Sequence, residues 1–218
     1  MTSQYEMLFP FTNQKEILDW ADRYTEDQKP KRKQKEKDVI KIRKNVKARQ
    51  THETPGGYLT RCELMKMGGW KRHTLPSLIK DNPDGNVEKI TAEVFRPGDD
   101  WEKLKKLTDI VGVRESVGSV ILHLYDDGDY DYPILDKHAL RSIGIDHRKV
   151  KYDAPFWRKY IKFCQAKAEC HGVCMRTLDR ALYKFSQSGA AFALKNITDE
   201  MFFLELKRCG YDPSSLRT

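Results

Sequence analysis

No stretch of this 218-residue chain approaches the roughly 20 consecutive apolar residues that a helix needs to cross a bilayer, so no membrane role is expected. Met1 to Phe11 lacks the charged start and long apolar core of a secretory signal. Those two absences point to an intracellular, cytoplasmic protein. Sustained apolar–polar alternation is also missing, so no strand is predicted and the fold class expected is all-α. Cysteines are few and odd in number: Cys62, Cys164, Cys170, Cys174 and Cys209. An odd count in a chain without a secretion signal argues for reduced thiols. Cys164 and Cys170 fall inside an amphipathic helical pattern, and the spacing of the set suits no metal loop, so no metal or cofactor is expected. Asp126, Asp127, Asp129 and Asp131 lack the spacing and terminal glutamate of a calcium loop and read as a solvated acidic loop.

What is present suits a soluble globular protein, with 39% hydrophobic and 33% charged residues. The length allows one sizeable helical domain or two small lobes sharing a core. Net charge is +8, and its location is more informative than its size. Between Lys29 and Gln50 stand eleven Lys and Arg against Glu36 and Asp38, so the rest of the chain is close to neutral. Val39, Ile40, Ile42 and Val46 thread that segment as a thin apolar stripe, which predicts a surface helix with a cationic face. Lys33, Lys37, Lys41 and Lys44 are the candidate contacts to a polyanion; the competing reading is an ordinary solvated helix.

Leu107 to Arg141 organises the remainder. Trp101, Leu104 and Leu107 have helical spacing, Ile110-Val-Gly-Val-Arg114 interrupts it, and Val117, Val120, Ile121 and Leu124 resume it. Helix, tight turn, helix is the prediction, with Gly112 free to take a positive φ. Gly118 and Ser119 are small enough for close packing. N–H groups of the turn and of the second helix's start have no intrahelical partner, and the helix dipole is positive there. Gly112, Val113, Arg114 and Ser116 would form an anion site suited to a DNA phosphate. A plain helix–turn–helix packing unit remains the alternative. Tyr132-Pro-Ile-Leu-Asp-Lys-His-Ala-Leu-Arg141 then places Asp136 at the start of a helix, where it also suits an N-cap.

In this order of residues the chain resembles the helix-hairpin-helix DNA glycosylases, the HhH-GPD superfamily that includes endonuclease III and the adenine glycosylases. Their pattern is a Leu-Pro-Gly-Val-Gly hairpin, an apolar helix, then Val-Asp-Thr-His-Val-x-Arg. Gly112 and Val113 match the hairpin, Asp136 matches the catalytic aspartate, and His138 and Arg141 keep their offsets. Val111 stands where the proline would be, Arg114 at the second glycine and Lys137 at the threonine. Leu59-Thr-Arg-Cys-Glu-Leu64, Gly69-Trp-Lys71, Asn82 and the helix after Asn86 look like the front half of small, poorly characterised bacterial relatives. The likeness covers roughly Tyr58 to Gln187. It implies a two-lobed helical fold with a cleft between lobes, and double-stranded DNA as partner. Some members carry a four-cysteine iron–sulfur loop that the cysteine spacing here does not match.

Along the chain, Thr12 or Asn13 caps a first helix with Ile17, Leu18, Ala21 and Tyr24 on its apolar side, and Pro30 ends it. Thr54-Pro-Gly-Gly57 is a breaker. Residues 1–57 are therefore expected to be N-terminal helices with the basic segment at 29–50, 58–190 the glycosylase-like core, and 191–218 a C-terminal helix packed on it. Thr60 with Glu63 reads as a capping box, and Gly68-Gly69 as the end of the helix it starts. Trp70-Lys71 then begins a segment through Leu75, Leu78 and Ile79. Trp70, Lys71 and His138 are candidates for a base pocket, although Trp70 reads more readily as core. Asn86 is expected to cap a helix through Phe95, Pro155 to introduce one through Cys170, and Thr198 to cap the last. In the helix Met175 to Ser186, Leu178, Leu182 and Phe185 are expected inward and Asp179, Arg180 and Lys184 outward.

The resemblance implies an enzyme that flips a base from the duplex and breaks its glycosidic bond, with Asp136 stabilising the sugar cation or activating water. Bifunctional members use a hairpin lysine as nucleophile. Ser116 is near the matching place, and Lys137 points about 100° from Asp136 on a helix, which suits a phosphate contact. A monofunctional, monomeric enzyme is implied. The rival readings are a non-catalytic DNA-binding protein and a structural helical protein.

Overall fold

A computed structural model describes residues 9–125, 132–189 and 199–212. The described residues form eleven helices and no strand. In chain order these are α1 (Gln14–Glu26), α2 (Pro30–Ala48), α3 (Arg61–Lys71), α4 (Leu75–Ile79), α5 (Asp84–Val94), α6 (Asp100–Leu107), α7 (Glu115–Tyr125), α8 (Lys137–Ser142), α9 (Ala154–Cys170), α10 (Met175–Gln187) and α11 (Asp199–Arg208). None is long and apolar enough to cross a membrane. The acidic residues Asp126 to Asp131 and the expected cap Thr198 lie outside the described residues. The chain divides into two compact units, one of Met1–Asp27 with Pro133–Thr218 and the other of Gln28–Tyr132. Thr54 to Gly57 therefore falls within the second unit.

In the unit Gln28–Tyr132, Pro30 opens α2 instead of ending α1. The first helical position has no use for an N–H, so proline is well placed there. Val39, Ile42 and Val46 form the buried stripe of α2, whereas Ile40 is turned out to solvent. α2 runs antiparallel along α3: Lys35 donates to the Gly69 carbonyl at 3.1 Å and Arg49 forks onto Glu63 at 2.7 and 2.9 Å. Glu63 also accepts from the Thr60 N–H at 3.1 Å and Thr60 Oγ1 accepts from the Glu63 N–H at 3.3 Å, which closes the expected capping box. Gly68-Gly69 does not end α3. The helix continues to Lys71, and the glycines let α4 come close, since a Cβ on Gly68 would lie 2.9 Å from Ile79 Cδ1 and one on Gly69 3.2 Å from Pro76 Cγ. α5 begins at Asp84, so Asn86 lies inside its first turn and is not its cap.

In the other unit, the Asn13 side chain caps α1 by accepting from the Glu16 N–H at 3.0 Å. Ile17, Ala21 and Tyr24 are buried and Leu18 is exposed. α1 packs on α10, where Trp20 meets Phe185 edge-on at 5.4 Å and Tyr24 meets Tyr183 at 5.6 Å. Phe9 and Phe11, T-stacked at 5.3 Å, cover the Phe163 and Phe185 rings. Burying each such ring contributes about 1.5–3 kcal/mol. Asp179, expected outward, is buried because Arg176 donates to it at 2.7 Å within the same turn of α10. A buried carboxylate is tolerable only with such a partner.

Candidate nucleic-acid interface

α6 and α7 form the expected helix-turn-helix. Asp99 caps α6 through the N–H groups of Trp101 and Glu102, at 2.9 and 3.0 Å. Leu104 and Leu107 are buried against α7, where a Cβ on Gly118 would lie 2.9 Å from Leu104 Cδ1. α7 starts from the Arg114 carbonyl, which accepts from Val117 and Gly118 at 2.9 and 2.8 Å. The Val113 N–H closes the turn onto the Ile110 carbonyl at 3.0 Å. Among the described residues nothing accepts from the N–H groups of Gly112, Arg114, Glu115 or Ser116. Four donors thus remain at the positive end of an eleven-residue helix, with the Arg114 side chain exposed beside them.

The turn is moulded on a segment distant in sequence. Gly112 has φ +87°, and a Cβ there would lie 2.9 Å from Leu78 Cβ and 3.1 Å from the Leu78 carbonyl carbon. Any side chain at Gly112 would therefore meet both conformational strain and a backbone. Asn82, 2% exposed, accepts from the Val111 N–H at 2.9 Å and donates to the Val111 carbonyl at 2.9 Å and the Ile79 carbonyl at 2.8 Å. Arg61 in turn donates to the carbonyls of Lys80 and Asn82 at 2.9 and 3.0 Å. Leu78 and Val111 flank Gly112, at 52% and 66% exposure.

Two sets of cations stand out along α2 and at its C-cap, Arg49. Arg32, Lys35, Arg43 and Arg49 turn inward: Arg32 lies 5.0 Å over the Trp70 ring and Arg43 donates to the Leu124 carbonyl at 3.2 Å. Hydrogen bonds from Arg49 hold Glu63 below its ordinary range despite its burial, and Asn45 and Thr60 add to them. Lys33, Lys37, Lys41 and Lys44 are exposed, at intervals of four, four and three residues along one face. Hairpin and lysine face belong to the same compact unit.

Asp136 belongs to the other unit and caps α8, its Oδ1 accepting from the His138 N–H at 2.7 Å. The extended segment leading to it is held by Tyr160, fully buried, whose hydroxyl donates to the Ile134 carbonyl at 3.2 Å. Burial pushes the Tyr160 phenol well above its ordinary value, and Cys164, Asp179 and Asp136 add to the effect, so it remains a donor. Lys137 is exposed. His138 Nδ1 lies 2.8 Å from Ser186 Oγ with its ring 4.8 Å from Tyr183, which seats it on α10. Of the other pocket candidates, Trp70 is 3% exposed and part of the core of its unit, and Lys71 is half-buried at the end of α3.

Comparison with protein-family models, curated proteins and solved structures returned no match. Asn82, Arg61, Leu78 and Tyr160 are the supporting residues that the sequence did not single out for these roles. Asn82-Pro-Asp-Gly85 reads locally as a turn, and no local signal shows that the asparagine amide grips a residue 29 positions on.

Proposed function

We propose that this chain binds duplex DNA through the α6–α7 hairpin and the α2 lysine face, and acts on it as a monofunctional DNA glycosylase. The observation that carries DNA binding is the set of unengaged N–H groups of Gly112, Arg114, Glu115 and Ser116, in a turn braced by Asn82 in the unit that also carries the exposed lysines. Backbone donors at a helix start suit one phosphate, and the lysines supply the non-specific, salt-dependent attraction. An all-α architecture in two compact units, with the hairpin and the aspartate-bearing helix in the expected order, supports a helix-hairpin-helix glycosylase fold.

In this mechanism Asp136 is the carboxylate that stabilises the cationic sugar as the base departs, or takes a proton from the attacking water. Lys137 contacts a phosphate. Ser116 stands where a bifunctional enzyme would have its nucleophilic lysine, so the product is an abasic site in an intact strand. One observation favours a second reading, DNA binding without catalysis: Asp136 Oδ1 is already engaged as the cap of α8. Duplexes carrying damaged, mismatched or bulky modified bases, screened for abasic-site formation, separate the two. Base release from any of them supports the glycosylase; duplex binding with no release across the panel leaves the binding protein.

A further inference from the structure

α9 and α11 run side by side in the same direction, and their facing residues meet rung by rung. Phe163 packs edge-on against Phe202 with ring centroids 5.6 Å apart. One turn further, the buried Lys167 donates to the buried Glu205 at 2.6 Å. The next rung, three residues after Lys167 and four after Glu205, places Cys170 opposite Cys209, near enough for Cys170 to bear on the Cys209 thiol. Both are free; Cys170 is exposed and Cys209 half-buried. The ladder beneath them is well supported, since the Lys167 ammonium lies 5.0 Å over the Phe9 ring and His171 stacks on the same ring at 5.3 Å.

We propose that Cys170 and Cys209 form a thiol-oxidation site that closes into an intramolecular disulfide by exchange with a small disulfide of the glutathione class. The site is independent of DNA binding and of Asp136. The Cys170 thiolate attacks one sulfur of oxidised glutathione, forming a mixed disulfide and releasing one glutathione thiolate. Cys209 then loses its proton to solvent and attacks the Cys170 sulfur, releasing the second. Two protein thiols are oxidised by two electrons and one glutathione disulfide is reduced to two thiols, so the exchange balances. The order follows from access and acidity. Burial pushes the Cys209 thiol up to about 11, with Lys167 opposing, so Cys209 stays protonated at neutral pH and does not begin the exchange. Cys164 is buried and its thiol is pushed up further, which keeps it out of the reaction. Closure would join α9 to α11 covalently at the third rung.

The test uses the full chain, equilibrated over a range of oxidised to reduced glutathione, quenched with an alkylating agent and mapped by peptide mass. The expected result is loss of two hydrogen masses in a linked Cys170–Cys209 peptide pair, with Cys62 and Cys174 carrying glutathione adducts instead. Cys209→Ser should arrest the reaction as a stable adduct on Cys170, and oxidation of the parent should slow hydrogen exchange in α11. Repeating the mapping in denaturant covers the case in which Cys209→Ser disturbs α11, because a linkage directed by the fold must lose its selectivity there. Retention of glutathione on Cys170 in the parent, a Cys170–Cys174 link, or equal selectivity in denaturant would overturn the proposal.

Discussion

The side-chain amide of Asn82 pairs with both main-chain polar groups of Val111, accepting from its N–H and donating to its carbonyl at 2.9 Å each. Those bonds determine which end of the amide is oxygen, because reversing it would point N–H at N–H and oxygen at oxygen. The pairing also needs an N–H at position 111, which valine has and a proline would lack. The turn is thus stiffened by a buried side chain from a distant part of the chain.

Asn82→Ala should destabilise the protein by about 2 kcal/mol, the usual cost of leaving buried polar groups without their partners. Duplex affinity should fall about tenfold, equivalent to about 1.4 kcal/mol, because the donors of Gly112, Arg114, Glu115 and Ser116 lose their template. Denaturant unfolding and a binding titration on the folded variant report the two effects separately. Normal affinity in a destabilised variant would make Asn82 a purely structural residue.

Replacing Lys33, Lys37, Lys41 and Lys44 together with glutamine tests the α2 face. Each phosphate that is no longer neutralised removes about 0.9 from the slope of log affinity against log salt, so the slope should flatten by about 3 to 4. Thermal stability should hardly change, since all four side chains are exposed. An unaltered slope would assign the face to ordinary solvation.

Acid should expose the Arg49–Glu63 fork. Glu63 titrates below its ordinary value in the folded chain, so its contribution is complete above the ordinary glutamate range and is lost as pH falls through the folded value. Glu63→Gln keeps the shape and removes the charge, at about 2 kcal/mol near neutrality. Stability curves of parent and variant should converge on acidification below the glutamate range. A constant gap down to the acid transition would show that the charge is not what matters.

Borohydride provides a further check on the reaction type. If the chain acts as a glycosylase with no lysine near Ser116 in the hairpin, no Schiff base should form and no covalent protein–DNA adduct should be trapped. Efficient trapping that disappears in Lys137→Ala would assign Lys137 the nucleophile's role.

Much of this architecture was legible because local chemistry and tertiary packing agree. Asn13, the Thr60–Glu63 box and Asp136 are caps both by residue type and in the structure, and the α6–α7 hairpin follows its apolar spacing. The misreadings fall where packing overrides local preference. Gly68-Gly69 looks like a helix end, yet the glycines serve close contact with α4. Asp179 looks like a surface residue and is buried because Arg176 neutralises it. Pro30 breaks one helix pattern by opening the next. The inward cations of α2 could not be told from the outward ones by composition. Their partners, the Trp70 ring, the Gly69 and Leu124 carbonyls and Glu63, come from α3 and α7. The candidate residues divide the same way: Asp136 and Gly112 stand out in the sequence, and Asn82 and Tyr160, which brace the backbone at Val111 and Ile134 beside them, do not.

Single-turnover base release by Asp136→Asn, measured beside a duplex-binding titration, tests the central claim most directly. Asparagine has nearly the same size and still caps α8, so folding and binding should persist, and affinity should rise slightly as a negative charge is removed. Release should fall by about a hundred- to a thousand-fold, the typical cost of losing one preorganised electrostatic group. Release at the parent rate, with binding intact, would contradict the assignment of Asp136 and the glycosylase mechanism built on it.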